Sequence, residues 1–115
     1  MNRVVRWSGL VLCMLLGGCA SSGRSKALPP GVLQQGTLAN RQLIRDTMAG
    51  VAGKAATLGC LKIDSWVPYV LALPQGTPGS RVWRERWIVN CSGRTYPIDI
   101  RFNESGMGAA DYTIR

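Results

Sequence analysis

The chain has 115 residues, with 14 Lys and Arg against 6 Asp and Glu, a net charge of +8 and no histidine. The absence of His excludes imidazole acid–base catalysis, Ser–His nucleophile activation and imidazole metal sites, and the scattered carboxylates form no recognisable glycosidase pair. No cofactor or metal is implied, and the strong positive charge points to anionic partners.

Arg3 and Arg6 precede an apolar run from Trp7 to Leu16, which ends in Gly17 and Gly18. A basic start, a short apolar stretch and small residues at its end predict an export signal over residues 1–18. The run is shorter than the roughly 20 apolar residues needed to cross a ~30 Å hydrocarbon core, so it is not a transmembrane anchor. Leu16-Gly17-Gly18-Cys19 resembles the lipobox of bacterial lipoproteins. That resemblance implies cleavage before Cys19, a lipid on Cys19 and attachment to a membrane. Cys13 follows Leu12, which is not the small side chain cleavage needs, so Cys13 leaves with the signal. Ala20 stands where an Asp would signal inner-membrane retention, which implies the outer membrane with the domain facing the periplasm. Export removes nucleic acid as a partner and leaves lipid phosphate, lipopolysaccharide, peptidoglycan or an acidic protein surface.

Residues 19–37 form the lipidated N-terminus and a tether. Their Ser, Gly, Pro and Gln content lacks the apolar side chains needed for order. A single small domain over 38–115 follows. Asn40, or Thr37 one turn earlier, caps a helix that ends at Gly59. Ile44, Met48, Val51, Ala55 and Leu58 recur at helical spacing and form its apolar stripe. Arg41, Arg45 and Lys54 fall on a solvated face. Gly50 and Gly53 each cost about 1 kcal/mol relative to Ala, and either let the helix approach a sheet or mark a kink.

After Cys60 the period changes to two. Leu61, Ile63, Val67, Tyr69 and Leu71 share one face of a first strand, with Lys62, Asp64 and Trp66 on the other. Pro68 places this strand at a sheet edge or breaks it. Beyond the turn-rich Leu73–Gly79 segment, Trp83, Glu85, Trp87, Val89 and Cys91 point one way and Arg84, Arg86 and Ile88 the other. Glu85 therefore interrupts a core face and needs an open edge, an Arg such as Arg101, or a backbone donor. Tyr96, Ile98, Ile100 and Phe102 alternate on the next strand, and Ala110, Tyr112 and Ile114 on the last. The expected architecture is α+β, with one N-terminal helix packed on an antiparallel meander of about four strands.

With Cys13 removed and Cys19 lipidated, Cys60 and Cys91 remain to form one disulfide in an oxidising compartment. The run Trp83-x-Glu85-x-Trp87-x-Val89-x-Cys91-x-Gly93, with the alternation that follows it, resembles small proteobacterial envelope proteins and implies no particular activity. Arg84, Arg86 and Arg101 form a candidate patch for an anionic partner, which Arg81 and Arg94 extend. The expected function is a non-catalytic binding or structural module of the cell envelope. The alternatives are an inhibitor lipoprotein against a cell-wall hydrolase or toxin, and an accessory subunit of a secretion or envelope-assembly complex.

Overall fold

Helix α1 spans Arg41–Thr57, and its two ends are set by the residues expected to set them. Asn40 is extended, and its side chain accepts the Leu43 N–H at 2.8 Å. At the other end Gly59 takes φ +104°, a left-handed conformation that costs a Cβ-bearing residue far more than glycine. The Gly59 and Cys60 N–H groups donate back to the carbonyls of Ala56 and Ala55 at 3.1 and 2.9 Å, the paired bonds of a Schellman ending. The computed structural model describes residues 27–115. The predicted export signal, Cys13, Cys19 and the first part of the tether lie outside the described residues.

The helix buries Leu43, Thr47, Val51 and Ala55. Ile44 and Met48 are half-buried on its flank, so the expected stripe is turned at its N-terminal end, and at the other end Leu58 is an exposed capping residue outside the stripe. A polar Thr47 in the seam hid this from an apolar count. Its hydroxyl is buried and has no hydrogen-bond partner among the described residues. The two glycines play different parts. A Cβ on Gly50 would lie 2.8 Å from the Tyr112 ring and 3.3 Å from Ile114, whereas one on Gly53 would meet nothing within 4 Å. Gly50 therefore lets α1 settle closely onto the last strand.

Among the described residues the sheet has five antiparallel strands in sequence order, against the expected four or so. They are β1 (Gln34–Gln35), β2 (Ser65–Gln75), β3 (Val82–Cys91), β4 (Arg94–Glu104) and β5 (Ala110–Ile114). The added strand comes from residues assigned to the tether. Gln34 and Gln35 pair with Val70 and Tyr69, and Gly36 N–H donates to the Pro68 carbonyl at 2.9 Å. A residue's N–H and C=O point to the same side of a strand, so the donor that Pro68 lacks would also face β1. Beyond that short contact β2 is the sheet's edge, where the missing donor costs least.

Strand β2 is inverted relative to expectation. Trp66, Pro68 and Val70 stand opposite Val89, Trp87 and Glu85 on the core face, while Val67 and Tyr69 stand opposite Ile88 and Arg86 on the other face. Leu61 is 90% exposed and precedes the strand. Counting alternation through the irregular Leu61–Asp64 segment shifts the parity by one, and a one-residue slip exchanges the faces. The register breaks again after Val70, where Ala72 pairs with Arg84.

Strands β3 to β5 follow the expected alternation. Trp87, Val89, Ile98, Ile100 and Phe102 are buried, and Tyr112 and Ile114 pack against them. The Trp66 and Trp87 rings lie 4.5 Å apart, and those of Trp83 and Phe102 lie 4.9 Å apart. Each such pair adds about 0.5–1.5 kcal/mol beyond area burial. Ser92 and Gly93 both have positive φ, so they form the two-residue turn that suits the right-handed twist of β3 and β4. Cys60 and Cys91 are joined, with Cα atoms 5.8 Å apart and a separation of 31 in sequence. The bond ties the end of α1 to the end of β3, and its loop closure contributes about 3–4 kcal/mol.

Candidate functional site

Helix α1 packs on one face of the sheet, over β4 and β5. The other face carries the alternate side chains of β2 to β5, and no helix lies on it among the described residues. The two-residue turn fixes the β3–β4 register residue by residue. Ile88 stands opposite Pro97, Arg86 opposite Asp99, and Arg84 opposite Arg101. Continuing across the sheet, Val67 adjoins Ile88, Tyr69 adjoins Arg86, Ala72 adjoins Arg84, and Thr113 adjoins Arg101. The open face thus presents an apolar row, a row centred on an ion pair, and a row centred on two arginines.

The three predicted patch residues share this face but do not act alike. Arg86 grips Asp99 through two bonds, Nε to Oδ1 at 2.6 Å and Nη2 to Oδ2 at 2.9 Å. The Arg86 bonds, helped by the charges of Arg84 and Arg115, hold the Asp99 carboxyl below its ordinary range. The charge of Arg86 is therefore satisfied within the chain. Arg84 and Arg101 are exposed, directly opposed, and form no ion pair among the described residues. Like charges at directly opposite positions destabilise a sheet, and a bound anion relieves that cost. A guanidinium fork suits phosphate or carboxylate oxygens, which it can engage with two bonds at once.

Arg81, expected to extend the patch, is also withdrawn. Its Nη2 lies 2.8 Å from Glu104 Oε2, and its Nε and backbone N–H donate to Oε1 at 3.0 and 2.9 Å. Gly79 N–H donates to the same oxygen at 2.9 Å. This convergence, led by the Arg81 side chain, lowers the Glu104 carboxyl to about 2 and clamps the β2–β3 connection against β4. Arg94 sits beyond the Ser92–Gly93 turn, 6.0 Å from the centre of the Tyr96 ring. It does not join the Arg84–Arg101 pair at the register.

Glu85 faces the opposite side, wholly buried. Its Oε2 accepts the Trp83 indole N–H at 2.8 Å and the Leu38 backbone N–H at 2.9 Å, and its Oε1 accepts the Trp87 indole N–H at 2.7 Å. Of the partners expected for it, the backbone donor is found. Arg101 projects from the other face. Both oxygens act only as acceptors, which joins β3 to the segment leading into α1 without a cation. No group of three or more His, Cys, Asp or Glu side chains able to hold a metal occurs among the described residues.

The Arg86–Asp99 pair escaped sequence reasoning, although one signal for it existed. A two-residue loop at Ser92-Gly93 fixes every cross-strand partner from Cys91–Arg94 outward. Comparison with protein-family models, curated proteins and solved structures finds no match for this chain.

Proposed function

We propose that this chain is a lipid-anchored envelope protein of the outer membrane that acts by contact rather than catalysis, and that Arg84 and Arg101 engage an anionic group on its partner. The observation that carries this reading is the pair itself, with two exposed guanidinium groups directly opposed while the neighbouring Arg86 is occupied by Asp99. The expected lipid on Cys19 would keep the domain near the membrane, and the open face would meet phosphate or carboxylate groups of the envelope. The Val67–Ile88–Pro97 row supplies apolar contact beside the cations.

The test compares Arg84→Ser/Arg101→Ser with Arg86→Ser in the full chain, using retention of purified lipopolysaccharide and of detergent-solubilised envelope proteins. The double variant should lose most of the retained material, with a steeper loss at low salt. Arg86→Ser should lose less, because that guanidinium is already engaged by Asp99 and is not free to meet an anion. Retention unchanged in the double variant for both classes of probe would reject the reading.

A further inference from the structure

A second surface lies on the helix side of the sheet. Ile44, Met48, Ala49 and Ala52 on α1 face Trp66 of β2 across an apolar groove of about 600 Å³, with Arg41 and Arg45 also among its walls. A smaller recess of about 260 Å³ shares Met48, Ala52 and Trp66 with it and extends toward Leu61 and Ile63. The two form one trough along the flank of α1. Helix α1 sits over β4 and β5, and beside it Trp66 of β2, whose ring leans on Trp87, forms the facing wall.

The cations stand at one end, and Asp64 lines the smaller recess at the other. Arg41 and Arg45 stand one helical turn apart, are exposed, and form no ion pair among the described residues. Two nearby carboxylates are engaged elsewhere: Asp46 accepts from the Gln42 amide at 2.8 Å, and Asp64 accepts from the Ser92 N–H at 2.8 Å. A long apolar trough with two free guanidinium groups at one end matches a molecule with an extended apolar tail and an anionic head. The smaller recess beyond Trp66 is the more enclosed part and gives a single chain a place to end.

We propose that this trough takes one acyl chain of an anionic membrane phospholipid, with the phosphate of its headgroup on Arg41 and Arg45 and the chain running past Met48 and Trp66 toward Leu61. The site is separate from the Arg84–Arg101 pair, which lies on the opposite face of the sheet. It rests on the membrane reading above only in that lipid must be within reach.

The test reconstitutes the full chain with phosphatidylcholine vesicles containing a few per cent of a phosphatidylglycerol that carries a photoactivatable group in one acyl chain. A phosphatidylcholine with the same chain serves as the comparison. After illumination, labelled peptides are mapped by mass spectrometry, and co-sedimentation of the chain with vesicles is scored separately. Label should concentrate on the peptides holding Met48–Ala52 and Trp66, and should be several-fold stronger from phosphatidylglycerol. Arg41→Ser/Arg45→Ser should bring the phosphatidylglycerol label down several-fold to the phosphatidylcholine level, and Ala52→Phe, which fills the trough from an exposed helical position, should abolish the label from both lipids. Equal labelling by the two lipids, label spread evenly or centred on β3 and β4, or label unchanged in the double variant would overturn the proposal. A chain that fails to sediment with vesicles counts against the membrane reading, whereas a chain that sediments without label in the trough counts against the trough alone.

Discussion

Replacing Glu85 with Gln isolates the buried polar contact that links the sheet to the start of the helix. The amide is nearly isosteric, so the packing is kept while the hydrogen bonding and the charge change. Oε2 receives two donors and Oε1 receives one. In the Glu85→Gln variant the amide oxygen should therefore remain with Trp83 and Leu38, and the new NH2 should face the Trp87 indole N–H, donor against donor. One bond to a carboxylate, worth about 1.5–3 kcal/mol, is lost, and a buried N–H is left unsatisfied, so the expected loss of stability is about 2–4 kcal/mol. For a domain of this size that corresponds to a fall in Tm of roughly 10–30 °C. Urea denaturation followed by tryptophan fluorescence, with the disulfide intact, measures it. Trp87→Phe removes the opposed donor and keeps an aromatic ring, so in that background Glu85→Gln should cost about 1–2 kcal/mol less. A Glu85→Gln variant within about 0.5 kcal/mol of the parent, or strict additivity of the two changes, would refute the reasoning.

The two helical glycines separate conformational entropy from contact. Gly53→Ala should stabilise the domain by about 0.5–1 kcal/mol, since the new methyl meets only open space. Gly50→Ala should destabilise it, because the methyl meets the Tyr112 ring; thermal melts of the two variants should move in opposite directions. The Glu104 clamp sets an acid limit. Its folded pKa of about 2 lies below the ordinary 4.5, so its stabilisation is fully present above about pH 5 and is lost as the pH falls toward 2. Asp99, lowered by Arg86, adds to the same trend. Denaturation midpoints measured from about pH 7 down to 2 should fall below about pH 5, and Glu104→Gln should be less stable at neutral pH but show a shallower fall.

What the sequence determined by itself is local or nearly so. The Asn40 cap and the Gly59 ending need only neighbours within a turn, and both are where the residue types require. The alternation of β3 and β4 was legible because each strand has one apolar and one polar face, and the Cys60–Cys91 link followed from counting the cysteines left if the chain is exported as expected. Tertiary structure decided what depends on partners distant in sequence. Strand β2 is apolar on both faces, so only its register against β3 could choose Trp66 over Tyr69 for the core. Gln34 and Gln35 carry no strand signal and are recruited by the open edge beside Pro68. The candidate site followed the same division. The sequence placed Arg84, Arg86 and Arg101 on one face, since alternation alone does that. Which of them keeps a free charge was decided by the cross-strand partner that each meets, because an arginine facing Asp99 is satisfied and one facing another arginine is not.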